Sequence, residues 1–182
     1  SGTATDPITF ADYGIGDLPI VSGTELKYDW SGPTQNGEYY TQGPSSTRIF
    51  LVNGKRAENK TPGQLAMESW GYSSGNLYFK PAQGKLPSNY TLESGARNHC
   101  LLINSKQYIT IRNITFVGGN GRDSESESAG TIKISGKSAF ITVENCIVKQ
   151  GLFTGIGLES GPNNLVIANS DIYGHAGVGI DI

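Results

Sequence analysis

Between residues 122 and 181 the chain carries Arg122, Asp123, Glu125, Glu127, Lys133, Lys149, His175 and Asp181. A histidine exchanges protons near neutral pH. A lysine beside a substrate can act as a base, and an arginine offsets a carboxylate. Alternate acids at 123, 125 and 127 could supply oxygen ligands to Ca²⁺. The run GRDSESES lacks the glycine and the final bidentate glutamate of a calcium loop, so it also reads as a solvated acidic loop. Two carboxylates at a set separation are the equipment for breaking a glycosidic bond. Asp181 with Glu127 or Asp123 is the pair at hand. The competing reading is that the lysines are solvated and the histidine merely sits exposed among glycines.

Which of these groups meet depends on the elements that carry them. Ile132, Ile156 and Ile180 fall 24 residues apart, as do Ile134, Leu158 and Ile182, with Cys100 and Leu102 placed 32 before the first of each. Ile109, Ile141 and Leu165 repeat the pattern, as do Ile111, Val143 and Ile167, and Phe116, Val148 and Ile172. Apolar residues two apart are the β periodicity. The period is about 24, and the first unit holds eight extra residues in GNGRDSESES, 119–128. Short strands recurring at this interval predict a β-solenoid. Three asparagines, Asn113, Asn145 and Asn169, close the second strand of successive units. Stacked about 4.8 Å apart, their amides could bond one to the next as a ladder. Asparagine also tolerates the left-handed backbone of a sharp corner.

Units such as GIGLESGPNNLVIANSDIYG resemble those of right-handed parallel β-helix proteins, the pectate-lyase-like superfamily. The opening SGTATDPITFADYGIGDLPIVSG and the stretch NLYFKPAQGKLPSNYTL are similar to segments of large secreted members. The resemblance implies a right-handed parallel β-helix of about 24 residues per coil over 1–182. Residues 24–90 would be an inserted β-hairpin region, and 91–182 regular coils. It also implies a secreted or extracellular protein whose partner is a polysaccharide. The superfamily spans lyases, hydrolases, epimerases, tailspikes and adhesins, so the fold does not name the reaction.

In such proteins substrate lies along the first sheet and the loops after the third strand. That mapping puts Leu101, Lys133, Gly157 and Asp181 outward on the first strand, flanked by Arg122, the 123–127 acids, Lys149, Tyr173 and His175. A lyase acting on an acidic polymer would use Lys133 or Lys149 as base and Arg122 to neutralise the uronate, with or without Ca²⁺. Trp30, Trp70 and Tyr173 are candidate stacking platforms for sugar rings. The alternative for the aromatics between 30 and 90 is a small core of the inserted region. The alternative for the whole chain is a non-catalytic binding, adhesin or filament module.

Net charge of −2 and the lack of a basic stripe exclude a nucleic-acid binder. No run of apolar residues is long enough to span a membrane. Glycine supplies 25 of 182 residues and charged residues only 16%, a balance suited to many tight turns. Cys100 and Cys146 fall on apolar columns of different strands and read as buried thiols. The sequence ends on a strand at Ile182, which predicts a piece of a longer protein whose 182 end is covered by further coils or a neighbouring subunit.

Overall fold

The computed structural model describes residues 1–121 and 130–182, and the chain divides into two compact units, 1–23 with 97–182, and 24–96. Strands β1 (Ile8–Phe10) and β2 (Ile20–Ser22) open the first unit. The second unit holds β3 (Thr24–Leu26), β4 (Tyr39–Gln42), β5 (Phe50–Val52), β6 (Lys55–Arg56), β7 (Trp70–Ser73), β8 (Asn76–Phe79) and β9 (Leu92–Gly95). The first unit resumes with β10 (Leu101–Asn104), β11 (Gln107–Arg112), β12 (Thr115–Val117), β13 (Gly130–Ser135) and β14 (Ala139–Glu144). It continues with β15 (Ile147–Lys149), β16 (Thr154–Glu159), β17 (Asn163–Ala168), β18 (Asp171–Tyr173) and β19 (Ile180–Asp181).

These strands overturn the expectation of a single right-handed parallel β-helix with an inserted hairpin region. They form five separate sheets rather than one solenoid. Three are parallel and belong to the first unit, in the orders β1-β11-β14-β17, β10-β13-β16-β19 and β18-β15-β12-β2. Two are antiparallel, β3-β9-β5-β6 and β4-β8-β7, and make up the second unit with its own core.

In the parallel unit the register follows the apolar columns. Ile109 pairs with Ile141 and Ile141 with Leu165; Phe116 pairs with Val148 and Val148 with Ile172. Ile132, Ile134, Ile141 and Ile156 are each at most 1% exposed. Burying such a side chain stabilises by roughly 1.5–3 kcal/mol. The first strand departs from the expected columns. Leu101, not Cys100, pairs with Ile132, and Ile103, not Leu102, pairs with Ile134. Asn104 is partnered by Ser135 and Gln107 by Ala139, so the turn after β10 is one residue shorter than the turn after β13. A slip of one residue exchanges the two faces of a strand. Ile103 is accordingly buried and Leu102 is 55% exposed.

Four columns of left-handed residues recur in register, the first at the second position of β11, β14 and β17 and the other three just after strands. They are Tyr108, Phe140 and Asn164; Asn113, Asn145 and Asn169; Ser105, Gly136 and Ser160; and Gly118, Gln150 and Gly174. The asparagines stand at φ of 56°, 50° and 49°, a conformation asparagine adopts at lower cost than most residues. Their backbone N–H groups bond forward, Asn113 to the carbonyl of Glu144 and Asn145 to that of Ala168. The Asn113 amide donates to Asp12 at 2.8 Å, whereas Asn145 and Asn169 are exposed. Backbone conformation is therefore the physical reason for this column.

The antiparallel unit follows from its turn chemistry. Asn53-Gly54 and Ser74-Gly75 both have positive φ at the two central positions, the turn that joins antiparallel strands through two residues. They link β5 to β6 and β7 to β8. The core gathers Phe50, Val52, Trp70, Leu77, Phe79 and Leu92.

Candidate functional site

The sheet β10-β13-β16-β19 presents Leu102, Lys133, Gly157 and Asp181 as one paired column between its inward isoleucines. Lys133 and Asp181 thus stand on neighbouring sides of Gly157, a residue without a side chain. Strands in a sheet lie about 4.8 Å apart, so the two backbones are about 10 Å from each other. The Lys133 Nζ reaches an oxygen of Glu159 at 2.6 Å. Glu159 lies two residues beyond Gly157 and hence on the same face. It is diagonal to Asp181, with backbones about 8 Å apart from the strand rise and spacing.

This placement recasts several sequence expectations. Lys133 is only 7% exposed and committed to Glu159. All six residues of β13 are buried. Lys149 and Tyr173 pair on a different sheet, β15 with β18, where Tyr173 is 47% exposed. His175 acts as a fastener: its Nδ1 accepts from the Gly151 N–H, and its Nε2 is 3.1 Å from the Val148 carbonyl. One tautomer satisfies both contacts, with the proton on Nε2. A ring bonded at both nitrogens is poorly placed to exchange protons with a substrate. Trp70 is 2% exposed and stacks on Phe50 at 5.6 Å. Trp30 packs edge-on to Phe50 and donates its indole N–H to the Lys27 carbonyl. Trp70 is a core residue rather than a sugar platform, and Trp30 is half-buried against that core. Arg122, Asp123, Glu125 and Glu127, and with them the Ca²⁺ expectation, lie outside the described residues.

Glu159 is the residue that sequence reading missed. The signal was present: it stands at the i+2 position of the strand that places Gly157 outward. Cys100 and Cys146 are both thiols. Burial pushes the Cys100 thiol up to about 11, and burial also raises Cys146. Among the described residues no helix is long and apolar enough to cross a membrane.

No protein-family model matches this chain, and no curated protein matches it. Among solved structures it is similar to XylC in complex with xylose. The TM-score is 0.69 at 15% identity, over 87% of this chain and 34% of that one. The likeness is one of fold, with a structural neighbour that holds a sugar. The chain spans about a third of XylC's length.

Proposed function

We propose that this chain is part of a polysaccharide-active protein that breaks glycosidic bonds by hydrolysis. The observation that carries the reading is the face around Gly157, where Asp181 pairs with that glycine, Glu159 stands two residues beyond it and Lys133 orients Glu159 at 2.6 Å. Hydrolysis of a glycoside needs two carboxyl groups, one to protonate the leaving oxygen and one to act as base or nucleophile. Elimination on a uronate needs instead a basic group that reaches the ring C5 proton. Lys133 is nearly buried and bound to Glu159, which disfavours it in that role. The described part of this face also carries two carboxylates against one cation, which suits a neutral polymer better than an acidic one. The fold likeness to a xylose-holding protein supports a carbohydrate ligand.

The test is release of reducing ends from xylan, pectate and alginate, with Glu159→Gln and Asp181→Asn beside the parent chain. Hydrolysis of xylan that falls at least 100-fold in either variant supports the reading. Unsaturated products absorbing in the ultraviolet would show elimination and overturn it. The fold likeness to a xylose-holding protein is met equally by a second reading, in which the unit only binds polysaccharide. Retention on a xylan affinity gel without turnover would select that reading.

A further inference from the structure

The antiparallel unit holds an open cleft of about 530 Å³. Pockets that take small molecules and short oligomers span about 300–1,000 Å³. One wall is the segment after β3, with Lys27, Tyr28 and Asp29; the other is β4, with Tyr40 and Gln42, and Asn76 closes it beside Gln42. The walls are tied together by Ser31 and Tyr40, which exchange two backbone hydrogen bonds of 2.8 and 2.9 Å. The cleft's width is therefore set by main chain.

Its chemistry is unlike the core behind it. Tyr28 is 73% exposed and Tyr40 38%. The Tyr40 ring is supported by Tyr78, at 6.0 Å and 38° between planes. Solvent-facing rings that find no place in the Phe50–Trp70–Phe79 core leave a large apolar area uncovered. The side chains beside them are donors and acceptors: the amides of Gln42 and Asn76 and the charges of Lys27 and Asp29. The two charges cancel, so the cleft exerts little net field on an ion. A ligand that fits must be uncharged, flat and apolar on one face, and ringed with hydroxyls. A pyranose has that surface.

We propose that this cleft is a non-catalytic binding site for a neutral oligosaccharide, with sugar rings stacked on Tyr28 and Tyr40 and hydroxyls bonded by Gln42, Asn76, Lys27 and Asp29. The choice of a sugar rests on the carbohydrate reading above; the site itself does not involve Glu159 or Asp181. A platform of this kind keeps a polymer on the chain and raises its local concentration.

The experiment is titration of the full chain with xylohexaose, cellohexaose and a polygalacturonate oligomer, followed by backbone amide shifts and calorimetry. Shifts confined to 26–31, 40–42 and 76 with a neutral sugar are expected. Tyr28→Ala and Tyr40→Ala should each weaken binding at least tenfold, and Tyr28→Phe should retain it. Tryptophan fluorescence reports whether each variant keeps the Trp30–Trp70 core. Glu159→Gln should bind as the parent does even if it loses all hydrolysis, so the two proposals fail separately. Unchanged affinity in folded Tyr28→Ala and Tyr40→Ala, no neutral-sugar binding to the parent, or tighter binding of the acidic oligomer at these residues would each overturn the assignment.

Discussion

Glu38 offers a measure of how the antiparallel unit is held. It is 2% exposed, and its carboxylate accepts the Gly63 N–H at 2.8 and 3.0 Å and the Leu65 N–H at 3.0 Å. Two backbone donors from a distant turn therefore end on one buried carboxylate. A hydrogen bond to a charged group contributes roughly 1.5–3 kcal/mol, and removing the acceptor leaves buried donors unsatisfied. Glu38→Ala should cost about 3–5 kcal/mol, a large part of the 5–15 kcal/mol typical of a domain. Glu38→Gln keeps an oxygen that can accept from both donors but loses the charge and sets an NH2 against the Gly63 N–H, and should cost about 1–3 kcal/mol. Urea denaturation followed by tryptophan fluorescence is the assay. The chain's two tryptophans both belong to this unit, Trp70 in its core and Trp30 packed against it, so the signal reports its unfolding. The slope of the transition should stay constant while its midpoint falls. A loss under about 1 kcal/mol for the alanine variant would show that the 63–65 turn holds its place without the carboxylate.

Three further outcomes test the parallel unit. Among the described residues the buried Thr154 hydroxyl has no hydrogen-bond partner, so Thr154→Val should raise stability by about 1 kcal/mol in urea; a loss would mean the hydroxyl is satisfied. Asn145, at φ 50°, should accept glycine within a few tenths of a kcal/mol, while Asn145→Val should cost about 1–2 kcal/mol; equal costs would show that the amide matters and not the backbone. For Cys100 the folded thiol titrates at about 11 against an ordinary 9.0. Its stabilising contribution is whole below pH 9 and is lost as pH rises from 9 through 11. Relative to Cys100→Ala, the parent should lose on the order of 2–3 kcal/mol between pH 8.5 and 11 by circular-dichroism-monitored urea denaturation; parallel profiles would refute the burial argument.

The columns of the second half were legible because they are local. Ile109, Ile141 and Leu165 pair as their spacing implies, as do Ile156 and Ile180. The register of the first strand was not legible because it depends on the two-residue turn Ser105–Lys106, one residue shorter than its counterpart after β13, and apolar neighbours Leu101, Leu102 and Ile103 fit either frame. The expectation of a single solenoid failed on the sheets, which are separate parallel and antiparallel sets; residues 24–96, expected as an inserted hairpin region over 24–90, form two antiparallel sheets that join strands far apart in sequence, such as Thr24 with Gly95. Period offers no guide to such contacts. Trp70 was ambiguous because a large aromatic serves a core or a platform equally well, and only burial separates the two. Glu159 was hidden for a different reason: an ion pair between adjacent strands shows itself only once the register is known.

That register makes the parallel unit divisible. Ala139 pairs with Asn163 and Gly130 with Thr154, each 24 positions on. Excising residues 139–162 would join Ser138 to Asn163 and remove β14, β15 and β16, one strand from each parallel sheet. Every corner would still meet a corner, and every inward isoleucine an inward neighbour. Cutting one residue more or fewer would turn the downstream strands inside out. The unit can therefore be shortened or lengthened in whole steps, in the way a ruler is cut at its marks, and its length is a property that inheritance or design can change without redrawing the rest.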